Sequence, residues 1–424
     1  MRIDSFMLGA LLALSPGMIW AYPLDAYPET GIARLEGYRL AQEGKVRGNR
    51  VPPGAQLGSN AIQLRLLEQP DFKIPAPDKD LTRKITKLLG AEARYYSISV
   101  LDLSDPKAPL YAEHNGRKPR NPGSVGKLVV GLAIFQTLAD LYPDDIEARK
   151  RILHDSMVTV DDFIHKEHHK VPFWLPEENR IPRRRLKEGD SANLWTFLDW
   201  MFSASSNGAA TMVIKQLMLL RQFGNGYPVE SARAEAFFRD TKRKDLGELL
   251  VDSLTSPVTR NGLDVDRLRQ GSFFSRHAKR RVPGTNSIAT TRELIRYLVK
   301  LEQGQLVDAW SSLEIKRLMY MTQRRIRYAS SPALNEAAVY FKSGSLYRCK
   351  PEEGFVCRKY EGNVQNLMNS LAIVESPAGD PRMFYVVAIT SDVKKKNSAV
   401  DHQSLATRLH ALLKGRRSSS AVRE

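Results

Sequence analysis

The chain has little cysteine: two residues, Cys349 and Cys357, in 424. With seven residues between them and no neighbouring histidine they make a poor zinc site. In an oxidising compartment they would close a small loop as a disulfide; the other reading is a pair of free thiols. Beyond the first 21 residues no run reads as long and apolar enough to cross a bilayer, and no internal repeat is visible. Histidine is also sparse, and three of the eight stand together as His165, His168 and His169. Spacings of one and three residues on a short charged stretch match no recognised metal site, so neither a metal nor a cofactor is expected. Acidic residues are outnumbered by basic ones, 47 to 64, which leaves a net charge of +17. These shortages exclude a disulfide scaffold, a zinc domain and a polytopic membrane protein. At 42% hydrophobic and 26% charged, the composition belongs to a globular chain rather than a disordered one.

Residues 1–21 read as a secretory signal: Arg2 gives a thin positive start, residues 6–14 an apolar stretch, and Ala21 a small-residue cleavage point. An uncleaved anchor is the alternative, but Ser15, Pro16 and Gly17 interrupt the stretch and it is short for a span. The expected location is therefore the periplasm or the exterior. The basic residues cluster around Arg183–Arg185, Arg276–Arg281, Lys394–Lys396 and Lys414–Arg417. In an exported protein such runs suit acidic envelope polymers or anionic head groups better than nucleic acid, and they also read as ordinary solvated faces.

The chain order then sets an architecture. Residues 22–77 are rich in proline, glycine and polar residues and read as an arm over the body, with one helix at 32–43. A helix is expected at 78–89 with Gly90 ending it, then strands at 95–102 and 109–113. Helices follow from Gly123 to about Leu141, from Asp190 to Phe202, over 209–221, from Thr290 to Leu301, and over 311–323. Strands at 338–345, 366–374 and 382–390 and a helix over 400–413 complete the series. Strands from both chain ends around a helical middle predict an α+β fold. It would hold an antiparallel sheet of about five strands flanked by helices, with an all-helical lobe inserted at about 142–285. The body would span 78–413, and 414–424 would form a disordered basic tail.

Three short stretches carry chemistry. Asn121-Pro-Gly-Ser124-Val-Gly-Lys127 runs into an apolar helix, placing the Lys127 amine one turn from the Ser124 hydroxyl. A lysine drawn into an apolar helix loses hydration, which favours its neutral, proton-accepting form, and a serine nucleophile needs such a neighbour. Ser205-Ser206-Asn207 sits in the turn between two helices, and Lys342-Ser343-Gly344-Ser345 lies on a strand. Each has a plain reading: a helix cap for Ser205, a turn residue for Asn207, an exposed strand position for Lys342. Together and in this order they resemble the S-x-x-K, S-x-N and K-[TS]-G signature of the serine β-lactamase and penicillin-binding protein superfamily, over about residues 78–413, with class A β-lactamases the nearest likeness.

The resemblance implies roles. Ser124 would attack a carbonyl and form an acyl-enzyme, Lys127 would take its proton, and Ser205 would pass a proton to the leaving nitrogen. Asn207 would hold the substrate amide or the lysine; Lys342 and Ser343 would bind a substrate carboxylate; Gly344 would clear the strand edge. The N–H groups of Ser124 and Ser345 would form the oxyanion hole. One part of the class A pattern is missing: no E-x-x-L-N sequence lies between Asn207 and Lys342, which leaves Glu230, Glu235 and Glu248 as stand-ins with nothing to choose between them. The first expectation is an exported serine hydrolase that opens β-lactam amides. The alternatives are a D-Ala-D-Ala carboxypeptidase or penicillin-binding enzyme of the cell wall, and a non-catalytic envelope-binding protein.

Overall fold

The computed structural model describes residues 24–48, 50–164, 167–320 and 325–421. The expected signal over residues 1–21 lies outside the described residues, and so does His165.

Five strands make one antiparallel sheet: β1 (Tyr96–Asp102), β2 (Leu110–His114), β3 (Ala338–Arg348), β4 (Gln365–Ser376) and β5 (Met383–Ser391), in the order β2-β1-β5-β4-β3. Side chains alternate across a strand, so β5 feeds two cores. Met383, Tyr385, Val387 and Ile389 pack with Leu81, Ile85, Leu405 and Leu409 of the helices Lys79–Leu89 and Ser398–Ala421. Phe384, Val386 and Ala388 pack with the helical lobe on the other face. With both faces covered, an inner strand of an antiparallel sheet loses the polar alternation of a half-exposed one, and β5 therefore reads as an unbroken apolar run.

The helix Lys127–Leu141 is the axis of the lobe, buried on every side over most of its length. Gly123–Leu141 is in fact long and apolar enough to cross a membrane by composition, contrary to expectation. Protein covers it, so its composition is that of a core helix.

Four further differences have local causes. The expected helix at Asp190 starts later: Ser191–Asn193 pairs with Met157–Thr159, and the helix is Leu194–Ser203. Asn193 caps it, accepting from the Thr196 N–H at 2.8 Å, while Arg184 holds Asp190 at 2.6 Å. The inserted lobe is helical in bulk but also carries short ribbons, Met157–Thr159 with Ser191–Asn193, Lys170–Pro172 with Arg183–Arg185, and Leu268–Arg269 with Ile288–Ala289 at its boundary. The expected disordered tail continues instead as the helix Ser398–Ala421; Leu413 is buried and Arg416 pairs with Asp80 at 3.6 Å. The arm is more deeply seated than a surface layer. Leu35, Ile62 and Leu66 join the main core, and Arg34 forms a two-pronged buried ion pair with Asp199.

Candidate active site

Ser124 stands in a tight turn rather than in the helix expected for it. Gly123 has φ +53, a conformation that favours glycine, and its N–H donates to the Asn121 side chain at 2.9 Å. Gly123–Gly126 forms one 3₁₀ turn anchored by buried Val125, and the α-helix begins at Lys127. Lys127 therefore points along the turn, and its Nζ donates to Ser124 Oγ at 3.0 Å, the Ser205 carbonyl at 2.6 Å and Asn207 Oδ1 at 2.8 Å. Its ammonium also lies 4.7 Å from the Phe274 ring centroid. Among the described residues no carboxylate bonds to it. Burial pushes its pKa down to about 7, Glu167 opposes that shift through space, and the Arg327 charge adds to it.

The second stretch folds so that its serines separate in role. Ser206, not Ser205, caps the helix Asn207–Phe223, accepting from the Ala209 N–H at 3.0 Å. Ser205 takes the left-handed region at φ +57, which turns its carbonyl onto Lys127 and its hydroxyl into the cleft. The Ser205 hydroxyl then lies 3.5 Å from Lys127 Nζ and accepts from Lys342 Nζ at 2.9 Å.

The third stretch is the edge strand β3. Its period of two sends Ala338 and Tyr340 into the lobe-side core and brings Lys342 and Gly344 to the same side. Burial, followed by the charges of Lys127 and Arg327, holds the Lys342 pKa well below the usual lysine range. Gly344 is required by sterics: a Cβ there would lie 2.5 Å from the Ser124 nitrogen and also meet the Pro122 carbonyl. The Ser345 nitrogen lies 3.3 Å from the position of a Cβ on Gly123, so the backbone around Ser124 packs closely on that of Gly344 and Ser345. Ser343 and Ser345 turn their hydroxyls to Arg327, at 2.7 and 3.1 Å.

All eight site residues named from sequence thus meet around one cavity of about 1330 Å³, Lys127 from beneath its floor. Cys349 and Cys357 are joined as a disulfide, closing the loop that follows β3. The three stand-in carboxylates do not reach the site. Glu230, Glu235 and Glu248 are exposed on the lobe and none borders the cavity: Glu230 precedes the helix Ser231–Asp240, and Glu235 and Glu248 lie on the solvent faces of that helix and of Arg243–Arg260.

Sequence reading missed three contributors. Arg327, at φ +56, brings a guanidinium to Ser343, Ser345 and the Tyr360 hydroxyl, and nothing in its local sequence marks it. Glu167 is buried and holds the second stretch in place: Ser206 Oγ donates to it at 3.0 Å, as do the Gly208 N–H and the amides of His168 and His169. Although burial alone would raise it, these bonds and the His169 ring bring its pKa down to about 2. Nothing in its local sequence marks it, since the stretch stands out for its histidines alone. Gln270 also borders the cavity, with its side-chain carbonyl pressed against Gly126 and without a hydrogen-bond partner.

No family model matches the chain, and no curated protein matches it. Solved structures do. A β-lactamase from Xanthomonas campestris is similar at 12% identity and TM-score 0.50, over 79% of this chain and 98% of that one. A class A β-lactamase representative from Bacteroides cellulosilyticus gives 16% identity and 0.49, over 80% and 99%. A variant of PBP-A, solved as its acyl-enzyme complex with penicillin G, gives 15% and 0.48, over 81% and 100%. The five-stranded antiparallel sheet with its helical lobe is therefore a fold shared with the Xanthomonas campestris β-lactamase.

Proposed function

We propose that this chain is an exported serine acyl-transfer enzyme of the β-lactamase and penicillin-binding type, which opens β-lactam or D-Ala-terminated amides through an acyl-enzyme on Ser124. The observation that supports it most is the Lys127 amine, buried without a carboxylate partner and 3.0 Å from the Ser124 hydroxyl. In the acylation step neutral Lys127 takes the Ser124 proton while Oγ bonds to the carbonyl carbon. The oxyanion so formed is taken up by the amides of Ser124 and Ser345, whose backbone segments pack closely. The C–N bond then breaks, and Ser205 Oγ gives its proton to the nitrogen and regains one from the neighbouring ammonium groups. Arg327 and Lys342, with Ser343 and Ser345 between them, suit a substrate carboxylate.

The class A reading needs a base for the deacylating water. Among the described residues no aspartate or glutamate lines the cavity, and Gln270 offers an amide, which cannot take a proton at neutral pH. That favours a long-lived acyl-enzyme, as in a cell-wall peptidase inhibited by penicillins, over rapid hydrolysis. Incubation with a chromogenic cephalosporin followed by intact-mass analysis tests both steps. A stoichiometric adduct on Ser124 that persists for many minutes is expected, and Ser124→Ala should give none. Sustained turnover would restore the β-lactamase reading, and an absent adduct would leave a non-catalytic binding protein.

A further inference from the structure

The cavity's charge is one-sided. Its sheet wall carries Lys342, Arg327 and Lys359, and its lobe wall carries Lys170, Arg183 and Lys279. Among the described residues no acidic side chain lines either wall. Elsewhere the chain commonly sets its cations against carboxylates, as in Arg260 with Asp140, Arg281 with Asp162 and Lys396 with Glu92 and Asp401. Lys170 rises from the ribbon Lys170–Pro172 and Lys279 from the helix Arg276–Arg281, so two separate elements deliver charge to one wall. Lys279 is also partly desolvated: burial, then the charge of Arg276, lowers its pKa. Like charges facing one space from both sides repel, and that arrangement is relieved when anions enter. The volume, about 1330 Å³, exceeds the roughly 300–1,000 Å³ typical of small-ligand sites.

We propose that Lys170 and Lys279 form a second anion site on the lobe wall, selecting a peptide substrate that carries an additional carboxylate remote from the reactive amide. This rests on the acyl-transfer reading above, in which Arg327 and Lys342 hold the carboxylate beside the reactive amide. The peptide then spans the cleft, one carboxylate on each wall, with the scissile carbonyl over Ser124. A β-lactam with a single carboxylate fills only the sheet side.

Equilibrium binding to the full chain carrying Ser124→Ala tests the site without chemistry. Two fluorescent D-Ala-D-Ala-terminated peptides are compared, one with a free side-chain carboxylate and the same peptide with that group amidated. The free acid is expected to bind at least 10-fold tighter at low salt, and the margin should shrink at 0.5 M salt. Lys170→Gln with Lys279→Gln should abolish the margin, and Lys170→Arg with Lys279→Arg should keep it. Equal affinities, or a margin that survives the double glutamine variant, would overturn the proposal. Because the cephalosporin adduct is read separately on the unmodified chain, loss of the peptide preference and loss of acylation remain distinct results.

Discussion

Two buried lysine clusters show opposite uses of one residue type. Beneath the arm, Lys316 is fully buried and donates to Glu302 at 2.9 Å, Glu375 at 2.7 Å and the Gln63 carbonyl at 2.6 Å. Arg65 completes the cluster on Glu375 at 2.7 Å. Lys127 is equally buried, yet its hydrogen-bond partners among the described residues are hydroxyls, a carbonyl and an amide. A buried cation with carboxylates fixes one packing arrangement, here the arm against the helix Ala309–Tyr320 and against β4. A buried cation without them gives up its proton near neutrality and can work as a base. Partner choice, rather than burial, separates scaffold from chemistry.

Exchanging each lysine for a methionine should break this comparison in opposite directions. Lys127→Met is expected to slow acylation by about 10²–10⁴-fold, the usual contribution of a positioned base. The same change should stabilise the fold. The folded pKa is depressed from 10.5 to about 7, so the unfolded chain binds this proton more tightly. The resulting cost is fully present below pH 7, fades as pH rises toward 10.5, and is removed by methionine. Replacing buried ion pairs by apolar side chains gains about 1–4 kcal/mol, and the gain here is smaller because the bonds to Ser124, the Ser205 carbonyl and Asn207 are lost with the charge. Urea unfolding at pH 6 measures it, and a destabilised Lys127→Met would show the lysine to be structural.

Lys316→Met should do the reverse. It leaves Glu302 and Glu375 buried with only Arg65 to answer them, a loss of about 3–5 kcal/mol. The acylation rate per folded molecule should stay as it was, since Lys316 does not border the cleft. Equal thermal midpoints for this variant and the parent would mean that the cluster adds nothing to stability.

The same contrast explains what could be read from sequence. The cleft lysines were legible because the helical offset from Ser124 to Lys127 and the strand period through Lys342 are local rules. The apolar runs of β3, β4 and β5 gave the sheet for the same reason, although not its order. Arg327 and Glu167 were not legible. Each acts through partners far along the chain, Ser343 for one and Ser206 for the other, and a lone arginine or glutamate has no periodicity to betray it. The helix expected from Asp190 starts at Leu194 because Ser191–Asn193 pairs with Met157–Thr159, a contact set by a distant segment rather than by neighbours. The helix over 414–421 was missed since the contacts of Leu413 and Arg416 lie on other elements.

The smallest effect, a shift in pH dependence, probes the cleft lysine most finely. Acylation needs neutral Lys127, so its rate should rise with pH about a midpoint near 7 and level off above it. Glu167 carries its charge throughout this range, its pKa being about 2, and that charge favours the ammonium form of Lys127. Glu167→Gln removes the charge and should move the midpoint down by about half a unit to one unit, as expected for a partly screened charge without direct contact. Since Gln keeps one acceptor for the Gly208 and Ser206 donors, the turn carrying Ser205 is retained at some cost in stability. A purely structural role for Glu167 would lower the rate at every pH with the midpoint unmoved. An upward movement would mean that the lysine is not the group whose titration limits acylation.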